Sequence, residues 1–79
     1  MAKYKVGQKI ILEFNDETFY GIISTVTELG FVVKGDNGLF YPWMVINDKA
    51  YPLLKDDDGN LLTEKDLVEK VEPIEVMIQ

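Results

Sequence analysis

The 79-residue chain contains no cysteine, no histidine and no arginine. Without cysteine there is no disulfide and no thiolate chemistry. Without histidine the commonest general base and the commonest transition-metal ligand are missing together. All eight cations are lysine, set against fourteen acids, for a net charge of −6. Specific nucleic-acid binders carry a basic face and read bases chiefly with arginine, so direct binding to nucleic acid is not expected. No run approaches the ~18 apolar residues of a membrane-spanning helix, and the first seven residues hold no apolar leader core. The expectation is a soluble cytoplasmic protein with no membrane contact.

What is present fits one small folded domain over residues 1–79. The apolar fraction of 47% is that of a globular chain. A chain of this size buries only about 60% of its unfolded surface, so its stability is a few kcal/mol unless it oligomerises. The charge is uneven. Residues 1–47 hold four lysines and five acids, whereas residues 48–79 hold four lysines and nine acids. The C-terminal third is the acidic part.

Hydrophobic patterning predicts mainly β structure. Ile10, Leu12 and Phe14 alternate with Ile11 and Glu13, as in a half-buried strand. Asn15-Asp16-Glu17 reads as a polar turn. Thr18–Thr27 is rich in β-branched and aromatic residues, and Gly21 within it predicts a bend or a close backbone approach. Phe31–Lys34 and Leu39–Tyr41 flank Gly35-Asp36-Asn37-Gly38, where Asn-Gly predicts a hairpin turn with positive φ at both central positions. Pro42 predicts an edge, a bulge or a short 3₁₀ turn, with Trp43–Ile46 continuing the sheet after that break. The core meander is thus expected over 4–46, an acidic extension over 47–72 and a closing strand over 73–79, about five strands in all. Within the extension Tyr51–Leu54 reads as a short strand. Thr63 and Asp66 form a weak capping box, predicting one short helix over Glu64–Val71 with Leu67, Val68 and Val71 on its apolar side and Pro73 ending it.

Six of the nine aromatic residues fall between Phe19 and Trp43. The series Tyr20-Gly21-x-Ile23-x-x-Val26, Phe31-Val32-Val33, Gly35-Asp36-Asn37-Gly38 and Tyr41-Pro42-Trp43 resembles the core of SH3-like small β-barrels, and within them looks most like the Tudor-like branch. Lys5–Ile10 is similar to the first strand of such barrels in bacterial and phage proteins. The resemblance covers roughly residues 4–46, with residues 48–72 departing from it as an insertion or extension. It implies an aromatic cage for a methylated cation, built by cation–π attraction, with Tyr20, Phe40, Tyr41 and Trp43 at matching positions. Similarity to small phage-encoded barrels implies a module that binds and modulates a host cytoplasmic protein.

Two readings of the aromatics stay open. Phe40 and either Phe19 or Tyr20 fill the core, or Tyr41 and Trp43 join a contact surface. Adjacent Phe40 and Tyr41 must point to opposite faces. Asp56-Asp57-Asp58-Gly59-Asn60 suggests a calcium loop, but aligning Gly59 with the glycine of an EF-hand places Leu54 and Lys65 where the first and last carboxylates belong. No metal and no cofactor are expected. Ser24 has no histidine to activate it and no phosphate-binding glycine loop is present, so the chain is read as a non-enzyme. The expected function is a protein-interaction module with Tyr20, Tyr41 and Trp43 as partner-binding anchors. One alternative is an oligomer holding a nucleotide-derived ligand through Trp43 or Tyr51 and Asn47 or Asp48. Another is an acidic DNA-mimic inhibitor. A homo-oligomer remains open.

Overall fold

The computed structural model describes residues 4–79, so the first three residues of the expected domain lie outside the described residues. Six strands and one helix follow in the order β1 (Lys9–Phe14), β2 (Glu17–Val26), β3 (Gly30–Gly35), β4 (Phe40–Ile46), β5 (Lys49–Pro52), α1 (Glu64–Lys70) and β6 (Glu75–Ile78). All strand pairs are antiparallel, and the sheet order is β5-β4-β3-β2-β1-β6. The meander therefore runs through five consecutive strands, and the last strand returns to lie beside the first. A bridge between Ala50 and Ile74, with the Ile74 N–H donating to the Ala50 carbonyl at 2.8 Å, brings the two edges together. The result is a small, nearly closed, mainly β barrel, compatible with an SH3-like architecture.

Turn chemistry explains the short connections. Asn15 and Asp16 have φ of 51° and 62°, and Asn47 and Asp48 have 51° and 65°. These are two-residue primed turns, whose twist matches that of the flanking strands, and Asn and Asp tolerate the left-handed region better than other side chains. The second one makes a hairpin of β4 and β5 and starts the fifth strand at Lys49, earlier than the Tyr51 expected. The Gly35–Gly38 turn is built differently from the prediction. Of its central pair only Gly38 has positive φ, 83°, and the Gly38 N–H closes on the Gly35 carbonyl at 2.9 Å. That is a three-residue loop with glycine at the left-handed position.

Pro42 does not interrupt β4. The Val45 N–H points at β3, donating to the Leu29 carbonyl at 2.8 Å. Backbone direction alternates along a strand, so the nitrogen of Pro42 points away from β3. Pairing with β5 begins only at Trp43, so no hydrogen bond is lost there. A register shift between Ile23 and Thr25 marks a bulge at Ser24, whose hydroxyl donates to the Val32 carbonyl at 3.2 Å. Gly21 and Gly30 both fulfil the close-approach role. A Cβ on Gly21 would run into Val33, and one on Gly30 into the Trp43 carbonyl, with the Met44 Cα at 2.9 Å.

The barrel interior is filled by Tyr4, Ile10, Leu12, Ile23, Phe31, Val33, Trp43, Ala50 and Ile74. Tyr4 stacks on Phe31 with ring centroids 4.5 Å apart and closes one end. Tyr51 and Leu67 are buried but stand outside this cluster. Tyr51 is adjacent to Ala50 and so faces the outer side of the sheet. Leu67 is fully buried and Val71 is half-buried, whereas Val68 is 48% exposed, so the helix buries a narrower stripe than expected. Thr63 caps the helix, its hydroxyl accepting from the Asp66 N–H at 3.2 Å. Among the described residues no helix is long and apolar enough to cross a membrane.

Candidate functional site

In an antiparallel meander the end of one strand, the start of the next and so on share one end of the barrel. Here the ends of β1 and β3 and the starts of β2 and β4 meet between the 15–16 turn and the 35–38 loop. They enclose a groove of about 440 Å³ lined by Leu12, Phe14, Thr18, Phe19, Tyr20, Val33, Gly35, Asp36, Asn37, Tyr41 and Trp43. It opens at the end opposite the Tyr4 plug. All three residues singled out from the sequence, Tyr20, Tyr41 and Trp43, line it.

Their settings differ. Trp43 is inward-facing and only 8% exposed, a wall of the groove and part of the core at once. Its ring meets Phe14 edge-on, with centroids 6.2 Å apart. Its Nε1–H is buried and has no hydrogen-bond partner among the described residues. Tyr41, two residues earlier on the same face, is half-buried and packs at 6.0 Å from Phe19. Tyr20 belongs to the outer face and is 52% exposed, standing at the rim.

Phe40 is 60% exposed on the outer face, so it does not fill the core as one reading expected, nor does it line the groove. The pleat decides this, because Trp43 must face inward opposite Phe31 and Phe40 has the other parity. Lys34, its register partner, lies over the Phe40 ring at 6.0 Å.

The rim is held in place before any ligand arrives. The Asn37 side-chain amide donates to the Tyr41 hydroxyl at 2.7 Å, and its Oδ1 accepts from the Leu39 N–H at 2.9 Å. The Asp36 N–H donates to the Tyr20 carbonyl at 3.1 Å. Gly35 leaves the space in which the Tyr41 ring lies, since a Cβ there would stand 3.1 Å from the Tyr41 Cε2.

Phe14, Phe19 and Asn37 line the groove as well but were not singled out as anchors from the sequence. Phe14 shares the face of Ile10 and Leu12 and ends its strand at a turn, which is the available signal for a residue at a barrel mouth.

Next to the groove lies a second depression of about 490 Å³, lined by Glu13, Phe14, Asn15, Asp16, Glu17, Thr18, Glu72, Pro73 and Glu75. It shares Phe14 and Thr18 with the groove. Its five carboxylates come from the 15–16 turn as well as from the C-terminal third.

The residues of the small-ligand alternative are not gathered. Tyr51 is buried, Asn47 and Asp48 form the turn at the far end of β4, and Trp43 lines the groove. Ser24 is committed to the bulge. The Asp56 carboxylate accepts from the Asp58 and Asn60 N–H groups, both at 2.9 Å, which is a loop-closing role. Among the described residues no group of three or more acids is placed to hold a metal ion. Comparisons with protein-family models, with curated proteins and with solved structures find no match.

Proposed function

We propose that the chain is a non-enzymatic protein-interaction module whose groove takes an apolar side chain of a protein partner. The observation that carries this is the convergence of Phe14, Phe19, Tyr20, Tyr41 and Trp43 on one preformed groove. Its volume falls in the range of about 300–1,000 Å³ typical of binding pockets. Aromatic anchors with few rotatable bonds are what interface hot spots are made from. The Asn37–Tyr41 clamp supports the reading further, because a pre-ordered rim spares the entropy of ordering it on binding. By its resemblance to Tudor-like and small phage barrels, the partner is a host cytoplasmic protein that the module modulates; this part rests on analogy of fold.

The acidic depression favours a second reading, a DNA-mimic inhibitor docking on a basic surface. The two readings separate cleanly. Anchor binding requires the Tyr41 ring, whereas mimicry survives its loss and collapses with salt.

The test is native mass spectrometry of the tagged protein, gently purified from bacterial lysate, beside Tyr41→Ala and Tyr20→Ala variants. Alanine at position 43 is unsuitable, because removing a buried tryptophan costs about 3–5 kcal/mol and threatens the fold. The expected result is a stoichiometric extra polypeptide on the wild-type protein that is absent from a folded Tyr41→Ala variant. A homo-oligomer carrying a small extra mass, or a partner indifferent to Tyr41, overturns the proposal.

A further inference from the structure

We infer that the groove and the acidic depression form one bipartite site for an extended basic peptide segment, an apolar anchor side chain entering the groove and flanking lysine or arginine side chains lying along the depression. This rests on the reading of the groove as a protein-docking site and adds the chemistry of the partner.

Three observations lead to it. First, the two hollows adjoin, with Phe14 and Thr18 lining both. A ligand that fills one lies beside the other.

Second, the charge is of one sign. Among the described residues the charged ones lining the two hollows are Asp36, Glu13, Asp16, Glu17, Glu72 and Glu75, with no lysine on either. Among the described residues the ion pair within bonding distance is Lys70–Asp66, on the helix, so these six carboxylates have no cation of their own. The complement of an apolar hollow joined to an anionic one is a ligand both apolar and cationic.

Third, Glu13 and Glu75 stand directly opposite each other across the β1–β6 pair. Like charges in that position destabilise a sheet. A local choice that works against the fold belongs to the class of features found at functional sites.

The experiment is selection from a random dodecapeptide library on the immobilised full chain, followed by titration of the enriched synthetic peptides. Trp43 is the single tryptophan, so its fluorescence reports on the groove. The expected peptides combine an apolar or aromatic residue with a run of lysine or arginine. The triple variant Glu13→Gln, Glu17→Gln, Glu75→Gln should bind them roughly tenfold more weakly, as three partly exposed ion pairs together supply. These substitutions remove repulsion and leave the fold intact.

Each other outcome is decisive. Enriched peptides that need Tyr41 but are neutral or acidic overturn this inference and leave the groove reading standing. Peptides of any charge that bind Tyr41→Ala as well as wild type overturn the groove reading itself. Failure to enrich any peptide overturns both.

Discussion

Replacing Glu75 by lysine should make the barrel more stable and a poorer binder of basic peptides. Glu75 and Glu13 are cross-strand partners on β6 and β1, both exposed. A directly opposed pair of like charges is unfavourable, and an opposed pair of unlike charges favourable, by roughly 0.2–1 kcal/mol each. Exchanging one for the other therefore gains about 1 kcal/mol, discounted toward the lower half because both side chains are in water. In a domain of this length about 1 kcal/mol moves the midpoint by about 4–8 °C, so a rise of about 4 °C is expected at low salt. At about 1 M salt the Debye length falls to about 3 Å and most of the gain should vanish. Circular-dichroism melts of wild type, Glu75→Lys, Glu13→Gln and the double variant supply the cycle that isolates the pair. If Glu75→Lys raises the midpoint equally in the Glu13→Gln background, the gain comes from somewhere other than the opposed carboxylates. An electrostatic cost held in the depression would then be refuted.

Other perturbations test other parts of the account. Gly30→Ala drives a methyl into the Trp43 carbonyl and against the Met44 Cα, backbone groups that cannot step aside. A loss at or above about 3 kcal/mol is expected, read as a large drop in the urea midpoint. Leu67→Ala empties the one fully buried position of the helix and should cost about 2–5 kcal/mol. Limited proteolysis of that variant should cut first within residues 53–72, and cleavage in the barrel strands instead would contradict a loss confined to the extension. Tyr41→Phe removes the acceptor of the Asn37 amide while keeping the ring. It should cost at most about 1 kcal/mol of stability and weaken partner binding far less than Tyr41→Ala, as paired melts and titrations will show. Ser24→Ala should lower stability by about 0.5–1.5 kcal/mol and leave binding unchanged. Lost function at unchanged stability would return Ser24 to consideration as a reactive group.

Most of the barrel was legible because its strands announce themselves by parity. Ile10, Leu12 and Phe14 lie on one face of β1, and the glycine in β2 lies where another backbone closes in. The parts that were not legible depend on pairing. Nothing in Asn47-Asp48 separates a polar loop from a primed hairpin turn until Lys49–Pro52 is seen to pair with Trp43–Ile46. Pro42 reads as a break until the direction of its missing N–H is known. The exposed side of α1 at Val68 depends on where the extension docks.

The lining of the groove was half legible. Aromatic density singled out Tyr20, Tyr41 and Trp43, which line it, but which of Phe40 and Tyr41 faces inward follows only from the β3–β4 register. The acidic depression was hidden for a different reason. Its carboxylates come from two segments about sixty residues apart that only the β1–β6 pairing unites.

The most direct test of the central claim is chemical-shift mapping of the ¹⁵N-labelled chain during titration with a selected basic peptide. With one tryptophan, a single indole N–H signal reports on the groove wall. The account predicts that this signal moves, together with the amides of Phe14, Thr18, Tyr20, Asn37 and Tyr41. An unmoved indole, with shifts gathered instead on the Asn47–Asp48 turn or around Val68, would contradict it.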